Sequence, residues 1–259
     1  MTPQGIYTLV SRGNTLDRQM DAVANNLANV DTVGYKQDQP AFQALFAQTM
    51  GVASQSDEET FSHHEHLPPY AGVGTSYVSV ADMGKDYSTG RLIRTGNDLD
   101  FALTRPDGFF SVTTPQGERF TRAGNFRLNQ EGQLVSAEGF TVNGKEGPLK
   151  LQGEKIRVAE DGTVMVDGKR AGGLRIVTFP YPERLQKLGN SLFAPVDAEN
   201  APRILEDVQM VQGTVESSNV EMVKEMARMI EANRAYTQLQ RALVSADEMN
   251  KGAVTLARI

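Results

Sequence analysis

From Thr214 to Lys251 the chain contains neither Gly nor Pro. A helix over that whole stretch would be roughly 57 Å long at ~1.5 Å per residue. This segment constrains the fold most, because a helix of that length carries an apolar stripe that another surface has to cover. The stripe runs through Met222, Met226, Met229, Ala232, Tyr236, Leu239, Leu243 and Ala246. Ser217, Ser218 and Asn219 are candidate N-caps, and Glu221 and Glu225 suit the positive end of the dipole. The other end of the chain repeats the pattern. Apolar or small residues recur at Ile6, Leu9, Gly13, Leu16, Met20, Val23, Leu27 and Val30 in alternating steps of three and four, which is heptad spacing. Gly13 lies on this seam, where it lowers helix stability by about 1 kcal/mol relative to Ala and permits another backbone to come close. The helix runs out in Asn29-Val30-Asp31-Thr32-Val33-Gly34, residues that turn a chain.

Between the two ends the period changes to two. Phe126 and Leu128 alternate with Arg127 and Asn129, and Asn129 to Gly132 turns the chain into Leu134 and Val135. Ile156 and Val158 precede Asp161-Gly162, and Val164 and Val166 precede Asp167-Gly168. Alternating strands joined by Asp-Gly are a strong hairpin signal. Asp107-Gly108, Asn143-Gly144 and Gly172-Gly173 mark further turns. The spacing predicts an antiparallel β domain over residues 75–211, as a sandwich or open barrel. Residues 37–74 read as a linker or extended loop, polar from Gln48 to Gly74 and holding Pro68-Pro69. The helical ends then occupy residues 1–36 and 212–259, an α+β arrangement in which no adjacent helix covers either stripe. The ends are therefore interaction elements, pairing with one another or with other chains.

Composition removes several functions. Of 259 residues, 26 are Lys or Arg and 32 are Asp or Glu, a formal net charge of −6; nucleic-acid binding needs a basic face and is not expected. With no Cys there is no thiolate nucleophile, disulfide or Cys-ligated metal. The three His all fall within Ser62–Leu67. No apolar run reaches the roughly 18 residues of a membrane span, and Met1–Ile6 shows no signal-peptide n-region or h-region. No cofactor, metal, small-molecule substrate or enzymatic activity is expected.

Several blocks resemble bacterial flagellar rod and hook proteins. Ala24-Asn-Asn-Leu-Ala-Asn-Val-Asp-Thr-Val-Gly-Tyr-Lys36 is similar to their N-terminal signature, and the run from Val211 to Tyr236 to their C-terminal one. Gly90–Asp100, Asp107-Gly-Phe-Phe110, Phe120–Phe126 and Gly132–Val135 resemble internal blocks, in the same order. The Ile156–Val166 hairpin with Leu174-Arg-Ile-Val177 looks most like the proximal rod protein, while length and the Gly90–Asp100 block suit the distal one; hook proteins carry a larger middle. The resemblance implies a structural subunit of the basal-body rod. Long terminal heptad helices would form a coiled-coil assembly element, and the β domain would project outward. Its partners would be other copies, neighbouring rod proteins and, during secretion, the flagellar export apparatus. Its place would be the rod within the periplasm, reached without a cleaved signal, where it transmits torque from motor to hook.

The candidate assembly residues are then Ile6, Leu9, Gly13, Leu16, Met20, Val23, Asn25, Asn26, Leu27, Asn29 and Val30 at the N-terminal end. Met222, Met226, Met229, Tyr236, Leu239 and Leu243 are their C-terminal counterparts. Asn25, Asn26 and Asn29 are unusual so late in a helix, since Asn competes for backbone hydrogen bonds. They either turn a fraying end or satisfy backbone groups of neighbouring subunits. Phe42 and Phe46 resemble the export-gate element of rod and hook substrates, against a plain amphipathic turn with both rings on one face. His63-His-Glu-His66 has ligand chemistry, but its acidic, polar surroundings read as a solvated loop. Gly72-Val-Gly74 is a turn without the Lys or helix of a phosphate loop. Asp98 and Asp100 are a weak pair for glycoside hydrolysis. A polysaccharide-binding β face is the competing function, and with no Trp in the chain it lacks an aromatic platform.

Overall fold

The computed structural model describes residues 3–46, 76–153 and 155–256. Helix α1 spans Pro3–Ala28 and helix α2 spans Met222–Leu256. Among the described residues these are the only α-helices, and short strands fill the region between them. The described residues divide into two compact units: 3–24, 39–46, 76–84 and 223–256 fall in one, and 25–38, 85–153 and 155–222 in the other.

In the first unit α1 buries Thr15, Leu16, Ala22 and Val23, while α2 buries Glu225, Ala232, Leu239 and Ala246. A Cβ on Gly13 would lie 3.3 Å from Leu239 Cδ2, so the two helices approach closely where α1 has no side chain. The strands Gln37–Phe46 and Ser76–Asp86 pair with each other.

The expected coiled-coil element at both ends is overturned. The described residues hold two single helices and a β-rich centre, and the expected seam of α2 is broken. On α2 the expected seam residues Met222 and Met226 are 41% and 44% exposed, whereas the buried line passes through a carboxylate and two alanines. Coiled coils need large apolar residues sustained at both core positions of the heptad; here Val223, Ile230, Val244 and Met249 lie exposed, off that line. Helix α2 also starts later than its lack of Gly and Pro suggests. Thr214–Glu216 is a strand, and Asn219 is spent before the helix begins, accepting from the Gln37 N–H at 2.8 Å and donating to the Asp86 carbonyl at 2.9 Å. Tertiary hydrogen bonds there outweigh helix propensity.

The second unit is built on the strand Phe109–Thr114. It pairs with Gly117–Thr121 on one edge and with Thr141–Gly144 and Ile176–Thr178 on the other, all antiparallel. Period two sends successive side chains to opposite faces. Phe109 joins Phe120, Val177, Phe179, Leu185 and Phe193 in one apolar cluster, and Phe110 and Val112 join Phe101, Phe126, Leu134 and Val142 in a second. Both faces are covered, so the strand is buried almost throughout. The rings meet edge to face, Phe110 on Phe126 at 5.1 Å and Phe120 on Phe179 at 4.9 Å between centroids. Such pairs add about 0.5–1.5 kcal/mol each beyond their buried area.

The hairpins expected at Asp-Gly are present: Ile156–Val158 pairs with Thr163–Val166, which pairs with Lys169–Gly173. Asp167 and Gly168 both have positive φ, as the tight turn between those strands demands. Asn143-Gly144 and Gly172-Gly173 instead end strands. Two further pairs close the unit: Phe101–Leu103 with Met210–Gln212, and Leu92–Arg94 with Thr214–Glu216.

Candidate functional site

The residues that follow α1 and those that precede α2 meet within the second unit. After α1, hydrogen bonds from Thr32 N–H to the Asn29 carbonyl (3.1 Å) and from Tyr35 N–H to the Thr32 carbonyl (3.3 Å) fold the chain back. Gly34 completes the turn at φ +68°, and its N–H donates to the Glu216 carbonyl at 2.8 Å. A Cβ there would overlap the Ala123 backbone nitrogen, so only glycine fits.

This turn delivers Lys36 to a buried ionic cluster. The side chains of Lys36, Arg122 and Glu216 are at most 1% exposed. Lys36 Nζ lies 2.6 Å from Glu216 Oε1 and donates to the Ser88 carbonyl at 2.6 Å. Arg122 approaches Glu216 Oε2 through Nη2 at 2.7 Å and Nε at 2.9 Å. Its other donors reach the carbonyls of Arg105 (2.8 Å), Gly108 and Leu103 (3.4 Å). Gly90 N–H completes the set on Glu216 Oε1 at 2.9 Å. Two cations thus share one carboxylate away from water. Burial pulls the Lys36 ammonium below its ordinary range against the attraction of Glu216, and lowers Arg122 for the same reason.

A second node lies beside it. Asn26 is buried; its Oδ1 accepts from Tyr35 Oη at 3.1 Å and from Asp38 N–H at 2.9 Å, and its Nδ2 donates to the Asp38 carbonyl at 2.9 Å. Lys187 Nζ sits 2.7 Å from Asp38 Oδ1, over the Tyr35 ring at 4.2 Å from its centroid, and donates to the Lys36 carbonyl. Asn29 Nδ2 donates to Asn25 Oδ1 at 2.8 Å. The three late asparagines therefore make bonds within the chain.

The remaining sequence-derived residues are dispersed. Leu16 and Val23 are buried; Leu9, Gly13, Met20, Leu27 and Val30 are half-buried on α1 or just after it, and Ile6 lies in α1 with its side chain outside the described residues. Leu239 is buried, Met229, Tyr236 and Leu243 are half-buried, and Met222 and Met226 are exposed. Phe42 and Phe46 fall on a strand rather than a helical turn, their side chains outside the described residues. His63, His64, His66 and Gly72–Gly74 lie outside them altogether. Asp100 accepts from Thr95 Oγ1 at 2.6 Å and Asn97 Nδ2 at 3.1 Å, holding a turn, while Asp98 is exposed. Among the described residues no group of three His, Cys, Asp or Glu gathers, and no helix is long and apolar enough to cross a membrane.

Sequence reasoning missed the ionic cluster. Lys36, Arg122 and Glu216 lie far apart along the chain, and nothing local to any of them marks the pairing. Within the second unit the cluster ties the turn after α1 to the strand Thr214–Glu216.

Three family models match. Residues 6–36 match "Flagella basal body rod protein", 105–166 the "Flagellar hook protein FlgE/F/G D1 domain", and 211–256 "Flagellar basal body rod FlgEFG protein C-terminal". Lys36, Arg122 and Glu216 fall one in each. The flagellar basal-body rod protein FlgG of Bacillus subtilis (strain 168) is 29% identical over 98% of this chain and 99% of its own. FlgF of Mesorhizobium japonicum is 31% identical over 89% and 88%, and FlgG of Buchnera aphidicola subsp. Baizongia pistaciae 32% over 89% and 90%. The chain belongs to the flagellar basal-body rod protein family, as a structural subunit of the rod.

Proposed function

We propose that the chain builds the rod by contacts between α2 and neighbouring copies or other rod subunits, acting without catalysis and transmitting torque along the assembled shaft. The observation that carries this is the unpartnered apolar surface of α2: Val223 is 82% exposed, and Met226, Ile230, Val244 and Met249 are exposed with it. Large apolar residues in that number on one helix mark an interaction surface. Of the seam residues named from sequence, Met222 and Met226 belong to this surface, whereas Leu16, Val23 and Leu239 hold the unit together. The 156–177 segment favours the proximal rod position, in the periplasm, with delivery by the flagellar export apparatus; Phe42 and Phe46 are the residues proposed for that last step.

Replacing Ile230 and Val223 by Asp tests the reading. The expected result is loss of higher-order assemblies in sedimentation and loss of motility, with an unchanged monomer melting temperature, because both side chains already face solvent. Assembly and motility at the unsubstituted level would overturn it.

A further inference from the structure

The second unit carries two charged surfaces of opposite sign on opposite flanks of its central strand. The first is the outer face of the three-stranded sheet. Arg157 is registered opposite Met165, and Met165 opposite Arg170. Ile156, Val164 and Val166 face inward and are buried, so the alternation of the pleat puts Arg157, Met165 and Arg170 in one row on the solvent side. Met165 is 38% exposed between the two Arg positions. The second surface is Val196-Asp197-Ala198-Glu199, exposed throughout, with Val196 63% exposed. It is the mirror of the first in chemistry: an apolar side chain beside two carboxylates. Among the described residues no ion pair engages Arg157, Arg170, Asp197 or Glu199.

Topology separates them. The strand order runs Leu185–Lys187, Leu192–Pro195, Gly117–Thr121, Phe109–Thr114, Thr141–Gly144. The acidic segment leaves the Leu192–Pro195 strand on one side. The basic sheet is tied to the other, through the Gly144–Leu174 bridge and the Lys145 N–H to Gly173 carbonyl bond of 2.8 Å. At ~4.8 Å per strand the two attachment strands stand roughly 14 Å apart. Complementary surfaces on opposite flanks of one unit make a contact that repeats head to tail, and such a contact extends into a filament when its rotation does not close.

We propose that the Arg157–Met165–Arg170 row receives the Val196–Glu199 segment of a second copy of this chain, Val196 against Met165 and each carboxylate against a guanidinium. The occupant is a second copy because the chain itself supplies the matching surface, unpaired. This deepens the rod reading and rests on it: α2 supplies the main contact, and this one sets the register between β-rich units.

Charge reversal in the full chain tests it. R157E/R170E makes both surfaces acidic and D197K/E199K makes both basic. Each alone is expected to raise the concentration for half-assembly at least about tenfold at low salt, since reversal replaces attraction by repulsion. A mixture of the two variants, and the chain carrying all four substitutions, are expected to recover assembly. Circular dichroism melts keep a folding defect separate, and all four positions are exposed. Unchanged assembly of either double variant overturns the proposal, and so does a mixture or quadruple variant that fails to recover. Failure here with the Ile230 and Val223 substitutions still blocking assembly would leave the rod reading standing.

Discussion

Replacing Glu216 by Gln should destabilise the second unit by about 3–5 kcal/mol, the cost of removing one partner from a buried ion pair. The structure explains the size. Four donors converge on this carboxylate, from Lys36 at 2.6 Å, Gly90 at 2.9 Å, and Arg122 at 2.7 and 2.9 Å. A carboxamide is isosteric, but it offers one acceptor and points an NH2 at the other set of donors. Two buried cations are then left without an anion. Lys36→Met separates charge from shape, because it removes the surplus cation and leaves Arg122 paired with Glu216. Its cost is the two hydrogen bonds of Lys36, to Glu216 and to the Ser88 carbonyl, which keeps Asn219 Nδ2 at 3.4 Å, about 1–2 kcal/mol in all. The double variant should accordingly be more stable than Glu216→Gln alone, a coupling that a double-mutant cycle reads directly. With no Trp in the chain, far-UV circular dichroism in urea at pH 7 is the suitable assay, each free energy coming from linear extrapolation. A loss below about 1 kcal/mol for Glu216→Gln, or a Lys36→Met variant that loses as much, would refute the reasoning.

Burial lowers both Lys36 and Lys187 from 10.5. Just below that pH the unfolded chain binds the two protons more tightly, so these groups make stability rise as pH climbs toward 10.5. The stability difference between the unsubstituted chain and Lys36→Met/Lys187→Met, measured from about pH 8 upward, should grow in favour of the former; a shrinking difference contradicts the burial argument. Gly34→Ala should cost more than about 2 kcal/mol, from positive φ plus overlap with the Ala123 backbone. Gly139→Ala, with φ +91° and open space around it, should cost about 1 kcal/mol. Equal thermal shifts for the two would show that the close approach at Gly34 is unimportant. Asn26→Leu strands the Asp38 N–H and carbonyl, while the Tyr35 hydroxyl keeps Asp38 Oδ2 at 3.3 Å, and about 2–4 kcal/mol should be lost in urea unfolding; stability within 0.5 kcal/mol of the parent, about the scatter of a neutral surface change, would sink that assignment.

Local pattern made much of this protein legible. Heptad-spaced apolar residues and the absence of Gly and Pro announced two terminal helices, and Asp161-Gly162 and Asp167-Gly168 announced the hairpins they close, because both signals act between residues close in sequence. The family was legible for a related reason, since its blocks sit in the same order along the chain. What failed was everything set by partners distant in sequence. Thr214–Glu216 lies in the run without Gly or Pro but is a strand, because Leu92–Arg94 offers it a ladder. The coiled coil that the resemblance implied gives way to two helices, and on α2 the buried line runs through Glu225, Ala232, Leu239 and Ala246, since spacing states which residues share a face but not which face another element covers. Lys36, Arg122 and Glu216 are three ordinary charges until the fold removes their water. Only tertiary structure decides burial, and burial turns those charges from solvated side chains into one ionic cluster inside the second unit.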